Sequence, residues 1–273
     1  MSGRSTISGA TSHQAPPVRG VVVVVPTFQE ATNIEVLLRR LRQVVPEAAI
    51  LIVDDNSPDG TADRATQLGV ELGQIEVLRR PAKAGLGSAY RDGFAWALQQ
   101  GYQTIVQMDA DLSHDPAAVP HLLGALGQGA DVAVGSRYVT GGGNEGWPAH
   151  RRALSGFANW YASIMLGLHV SDVTSGFRAF RADALRRVDV AATRADGYAF
   201  QIEVLRRVGS GGGAVAEVPI QFRQRARGYS KISAVVVGEA LLLVTWWGWQ
   251  GWRMRLTGMS VGLRPASWLP PLS

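Results

Sequence analysis

"IVQMDADLSHD" (residues 105–115) runs from apolar residues into three carboxylates, Asp109, Asp111 and Asp115, and is closed by Pro116. Acid at the end of a buried strand is costly unless positive charge meets it. Two aspartates at i and i+2 on a strand-exit loop can turn toward one point. Hard divalent cations want oxygen ligands, and Mg²⁺ in particular shares them with substrate phosphates. The spacing therefore points to Mg²⁺ or Mn²⁺ between Asp109 and Asp111, holding a diphosphate. Taken alone, a D-x-D also fits a solvated acidic turn.

The segments upstream give this stretch its setting. "VVVVV" (21–25) is a continuously apolar, β-branched run of the kind found inside a parallel sheet. After "PTFQEATN", residues Ile34, Leu37, Leu38, Leu41, Val44 and Val45 recur at helical spacing, with Thr32 as the expected cap. Strands are predicted at 49–55, 75–79, 104–109 and 131–136. Helices are predicted in "SPDGTADRATQLGVEL", over 88–100, and from 116 to about 126. Alternating strands and helices imply right-handed βαβ units and a doubly wound, mostly parallel α/β sheet with helices on both faces. Ligands of such sheets bind past the carboxyl ends of the strands. The polar stretches "PTFQE", "DDNSPDGT" and "DADLSHD" fall at three of those ends. No GxGxxG follows the first strand and no GxxxxGK[ST] occurs, which argues against a dinucleotide-binding dehydrogenase or a P-loop NTPase.

Composition narrows the chemistry further. The chain has 273 residues, 46% of them hydrophobic, and no cysteine, so disulfides and thiolate metal sites are excluded. A net charge of +5 favours an anionic partner. Of 27 basic residues only Lys83 and Lys231 are lysines, both in glycine-flanked loops, which suggests places that want a compact point charge. His114 and His169 show no paired metal spacing and read as structural. Asp172 in "SDVTSG" reads as a turn cap. Glu203 reads as the partner of Arg206 or Arg207, with a role in orienting a phosphate-binding arginine as the alternative.

Eight blocks, "VVVPTFQEATNI", "VDDNSPDGTAD", "AGLGSAYRDGF", "DADLSH", "VGSRY", "DVTSGFRAF", "GYAFQIE" and "RARGYSK", occur in order between residues 20 and 235. Together they resemble the dolichol-phosphate (polyprenol-phosphate) mannose synthase family, inverting glycosyltransferases of GT-A fold. The resemblance implies transfer of mannose from GDP-mannose to a polyprenyl phosphate with Mg²⁺ or Mn²⁺. It places nucleotide-sugar contacts on Pro26, Phe28, Glu30, Val53 and Asp55. Metal and diphosphate contacts fall on Asp109, Ala110, Asp111 and Ser113. Arg225 and Lys231 would close over the diphosphate, and Arg137 and Arg151 would hold the acceptor phosphate. The family usually has tyrosine where Phe28 stands, and some relatives have glutamine at Ser113. A sister enzyme using UDP-glucose is the main alternative. An aspartyl-phosphate phosphohydrolase is a remoter one, because three strands precede "DADLS" where that class usually has none. Nucleic acid is not an expected partner.

The sequence divides into a disordered tail (1–17) lacking an apolar signal region, a GT-A domain (18–232), an amphipathic membrane-interface helix (233–253) and a flexible tail (254–273). The apolar run at 234–249 contains Glu239 and is shorter than the roughly 20 residues that span a bilayer. Four of eight tryptophans lie at 246–252, followed by Arg253 and Arg255, a pattern suited to headgroups. The expectation is a peripheral protein on the cytoplasmic face of a membrane, with a membrane-protein partner as an additional anchor.

Overall fold

The computed structural model describes residues 19–223 and 234–256. The tail at 1–17, Arg225, Lys231 and most of 254–273 lie outside the described residues.

The first half alternates as its periodicity predicts. Strands β1 (Arg19–Thr27), β2 (Ala49–Asp54), β3 (Ile75–Arg79), β4 (Tyr102–Gln107) and β5 (Val132–Ser136) are separated by helices α1 (Ile34–Val44), α2 (Thr61–Leu72), α3 (Leu86–Gln99) and α4 (Val119–Gly127). Then follow β6 (Gly143–Asn144), α5 (Ala149–Leu166), β7 (Arg178–Arg181), α6 (Ala182–Arg187), α7 (Gly197–Ser210), β8 (Val215–Pro219), β9 (Gln221–Phe222) and α8 (Ala234–Leu256). Seven strands form one sheet in the order β3-β2-β1-β4-β7-β5-β8, and β6 pairs with β9 apart from it. All pairings in the main sheet are parallel except those of β7, which runs antiparallel to β4 and β5.

The valine run is buried because both sheet faces are covered. Val22 and Val24 join Tyr90, Phe94 and Phe200 on one face, while Val23 and Val25 join Leu37, Leu38, Leu41 and Leu122 on the other. Each buried valine contributes about 1.5–3 kcal/mol. On the first face α3 approaches closely: a Cβ on Gly93 would lie 2.5 Å from Cγ1 of Val24, so only glycine permits this distance.

Several boundaries differ from the periodicity. The N-cap of α1 is Asn33 rather than Thr32, and the Asn33 side chain donates to Glu30 Oε2 at 2.7 Å instead of capping the helix. Helix α3 starts two residues before the predicted 88, after Gly85 at φ 95°. Strand β4 occupies 102–107, leaving Asp109 in the loop. The predicted helix start at 116 is a 3₁₀ turn, Pro116–Ala118, capped by the Asp115 carboxylate accepting from Ala117 N. Helix α8 runs on to Leu256, three residues past the expected 253, and the expected start at 233 lies outside the described residues. Among the described residues, no helix is long and apolar enough to cross a membrane.

Candidate active site

Strands β1, β2 and β4 are parallel neighbours, so their polar exits meet along one edge of the sheet. Strand β5 shares their direction through the antiparallel β7 between it and β4, which brings Arg137 to that edge too. Gln29, Asn56 and Leu112, one in each of the three exit loops, have φ of 61°, 57° and 62°. Left-handed non-glycine residues are uncommon, and such strain gathers where a loop must be held in one shape for a ligand.

At the β1 and β2 exits, Pro26 and Val53 are paired in register. Asp54 is consumed by the fold, accepting from Thr27 Oγ1 at 2.8 Å and from the Ser57 N–H at 2.8 Å. Asp55 is buried in an ion pair with Arg80, whose Nε also reaches Asp92 at 2.8 Å. Glu30 is anchored through its backbone N–H, which donates to Thr61 Oγ1 at 2.9 Å. Lys83 stands with its Nζ 4.1 Å from the centroid of the Phe28 ring, so one of the two lysines lies at this corner.

At the β4 exit the two acids are held differently. Asp109 Oδ1 accepts from the Tyr90 hydroxyl at 2.9 Å, and a Cβ on Gly176 would lie 3.2 Å from Asp109 Oδ2. Burial, reinforced by the Asp109 charge, pushes the Tyr90 phenol well above its ordinary value and keeps it a neutral donor. Asp111 is buried, with Oδ1 accepting from Ser113 N at 3.0 Å. Ala110 is buried between them. Ser113 Oγ is buried with no hydrogen-bond partner among the described residues. Two carboxylates and this hydroxyl form an all-oxygen set that fits Mg²⁺ or Mn²⁺. Among the described residues no group of three or more His, Cys, Asp or Glu could hold a metal ion, so an ion at this pair would complete its shell with substrate oxygens and water. Arg223 N donates to Ser113 O at 3.0 Å at the same loop.

Beyond β5, Arg137 is buried. Its Nε and Nη2 donate to the two oxygens of Asp172 at 2.7 and 2.6 Å, and Nη2 also reaches Thr174 Oγ1 at 2.8 Å. Burial works against the charge, but Asp172 more than offsets it and holds the Arg137 pKa above the ordinary arginine value. The Arg137 Cζ lies 5.6 Å from the Trp147 ring, and the Arg151 Cζ lies 4.1 Å from that same ring. Beneath the site, Arg178 is fully buried and held by the carbonyls of Gln201 and Val173, at 2.7 and 2.8 Å. Burial pulls it down to about 9.

The sheet thus gathers Pro26, Phe28, Glu30, Val53, Asp55, Asp109, Ala110, Asp111, Ser113 and Arg137 along its carboxyl edge, with Arg151 tied to Arg137 through Trp147. Asp172 is not a turn cap but the bidentate partner of Arg137. Glu203 does pair with Arg207, at 2.9 Å, and its other oxygen accepts from the N–H groups of Arg194 and Ala195. It fixes a loop rather than a phosphate-binding arginine. His114 is packed between Phe177 and Phe222, as a structural histidine should be. Tyr90 and Gly176 lie inside blocks whose other residues carried the sequence signal, and Trp147 lies between blocks, four residues before Arg151.

Comparison with known proteins identifies the family. The family model described as glycosyl transferase family 2 matches residues 22–189. The chain is 45% identical over 240 residues to an undecaprenyl-phosphate mannosyltransferase of Micrococcus luteus, covering 86% of this chain and 98% of that one. It is 42% identical over 244 residues to a polyprenol monophosphomannose synthase of Mycolicibacterium smegmatis, covering 89% and 92%. Among solved structures it resembles glucosyl-3-phosphoglycerate synthase from Mycobacterium tuberculosis, crystallised with Mn²⁺, uridine diphosphate and glucosyl-3-phosphoglycerate. That match has a TM-score of 0.58 and 22% identity, over 83% of this chain and 77% of that one, and it speaks for the GT-A fold alone. With the family model spanning most of the sheet and two relatives matched over nearly their whole length, the chain belongs to glycosyl transferase family 2.

Proposed function

We propose that this protein transfers mannose from GDP-mannose to a polyprenyl phosphate, with inversion at the anomeric carbon. The observation that carries the reading is a division of charge along one sheet edge. Oxygen donors suited to a metal-bound diphosphate stand at β4, and two arginines suited to a second phosphate stand at and beyond β5. The names of the curated relatives support mannose and a polyprenyl phosphate. GDP as the nucleotide rests on the family resemblance.

A phosphate monoester is already anionic at neutral pH, so no general base is required. The protein must hold two anions in line and offset their repulsion, and positioning with preorganised charge supplies large rate factors. In this reading Pro26, Phe28, Glu30, Val53 and Asp55 hold the nucleoside, with Arg80 fixing the Asp55 carboxylate. Asp109, Asp111 and Ser113 hold Mg²⁺ or Mn²⁺, which when bound neutralises the leaving diphosphate. Arg225 and Lys231 add positive charge on the diphosphate. Arg137, preset by Asp172, and Arg151 orient the acceptor phosphate.

Peripheral membrane contact belongs to the same proposal. Leu242, Trp246, Trp249 and Trp252 are exposed on α8, and Leu154, Phe157, Trp160 and Ile164 are exposed on α5. The two helices lie side by side, joined between Tyr161 Oη and Thr245 Oγ1 at 2.8 Å. An apolar, tryptophan-rich surface of this kind suits the headgroup zone, where the acceptor resides.

The test offers labelled GDP-mannose or UDP-glucose with polyprenyl phosphate and Mg²⁺. Labelled lipid from GDP-mannose alone is the expected result. Labelled lipid only from UDP-glucose overturns the donor assignment.

A further inference from the structure

The two acceptor-side arginines share one tryptophan, whose indole N–H has no acceptor among the described residues. Trp147 is 7% exposed, and its indole Nε1 is buried without a hydrogen-bond partner among the described residues. An indole nitrogen can only donate, and a buried donor nearly always finds an acceptor. Around the indole ring stand the Arg151 guanidinium, 4.1 Å from its centroid, the Arg137 guanidinium at 5.6 Å, and Phe222 edge-on at 5.5 Å. Helix α5, 18 residues long, begins two residues later at Ala149, so its N-terminal dipole adds positive potential at the same place. Two cations, a helix start and an unsatisfied N–H share one chemical complement, an oxyanion.

We infer that Trp147 is a third acceptor-phosphate residue. Its indole N–H donates to a phosphate oxygen of the polyprenyl phosphate, and its ring sets the spacing of Arg137 and Arg151. This rests on the proposed acceptor site and adds to it a neutral, directional donor. Two arginines alone attract any anion, whereas a fixed N–H also selects where one oxygen sits.

The experiment compares the full-length, Mn²⁺-supplied protein with Trp147→Phe, with 3-benzothienylalanine incorporated at position 147, and with Arg151→Ala. The benzothienyl side chain keeps the size and π-face of the indole but replaces N–H by sulfur. KM is measured separately for GDP-mannose and for undecaprenyl phosphate in mixed micelles, and thermal unfolding is recorded for each protein. The expected result is a rise of about tenfold in the acceptor KM for both position-147 variants, with the donor KM unchanged. Donor and acceptor KM rising together, or an acceptor KM unchanged in the benzothienyl protein, overturns the assignment. An unchanged acceptor KM in Arg151→Ala removes Arg151 from the phosphate site, whatever the indole variants show. The two failures are thereby separable.

Discussion

The phenol of Tyr90 donates to Asp109 Oδ1 at 2.9 Å from a ring lying parallel to Phe200, with centroids 6.0 Å apart. The first acid of the D-x-D pair is thus aimed from below by a group that stays protonated, on a helix packed against the sheet that carries the acid. A side chain outside the motif fixes how the motif presents itself.

Tyr90→Phe removes that donor and leaves the ring in its stack. Hydrogen-bond partners of metal-binding groups are worth about 10–100-fold in metal affinity. Titration of Mn²⁺ in the presence of GDP is expected to show about tenfold weaker binding, with thermal stability little changed. Equal affinity in the two proteins would show that the phenol does not orient the metal ligand.

Gly176 meets the other oxygen of the same carboxylate. In Gly176→Ala the new methyl would stand 3.2 Å from Asp109 Oδ2, tight enough that the acid must shift by a few tenths of an ångström. Because misplacement near the reacting atoms is costly, kcat/KM is expected to fall at least tenfold. The midpoint of urea unfolding should change little. Wild-type turnover in this variant would mean that the acid tolerates the shift.

Much of this was legible in the sequence because the first half of the chain obeys short-range rules. A valine run buried on both faces, and helices whose leucines recur every three to four residues, announce βαβ units one by one. The carboxyl edge then places every strand-exit block without further information. Beyond residue 136 the local pattern thins. Strand β7 is four residues long and antiparallel, and its place between β4 and β5 depends on pairings across 77 residues at Thr104↔Arg181. The role of Asp172 was hidden for the same reason: its partner Arg137 lies 35 residues away, joined only by tertiary structure. Trp147 lies outside the quoted blocks, four residues before Arg151, and the nearby arginines carry a louder signal than an indole. No periodicity tells that its N–H ends up buried without an acceptor among the described residues.

Asp172→Ala tests how far Arg137 depends on its partner. Removing one member of a buried pair leaves the other charge uncompensated, at a typical cost of about 3–5 kcal/mol. Arg137 and Asp172 have side-chain exposures of 6% and 0%, so solvent offers little relief. Urea unfolding is the measurement. A double variant, Arg137→Met with Asp172→Leu, is expected to regain much of the stability without regaining mannosyl transfer. If Asp172→Ala unfolds at the wild-type midpoint, the pair is not a structural element of the site.

The tryptophan surface makes a prediction that separates membrane contact from chemistry. Trp246 and Trp249 are neighbours, with ring centroids 5.5 Å apart, and both are exposed, while Val244 on the same helix is buried against the domain. One side of α8 therefore anchors it and another presents indoles outward. Replacing Trp246 and Trp249 together by alanine removes apolar area from the outward side while the buried side is untouched. Flotation with vesicles containing anionic lipid is expected to show a several-fold smaller bound fraction than wild type. Transfer to undecaprenyl phosphate in those vesicles should fall in parallel, whereas transfer to a short, water-soluble polyprenyl phosphate should persist. Equal flotation of the two proteins would remove α8 from the membrane surface. Equal loss with both acceptors would mean instead that the tryptophans support the catalytic domain itself, since only a bilayer-docking role distinguishes an acceptor in a vesicle from one in solution.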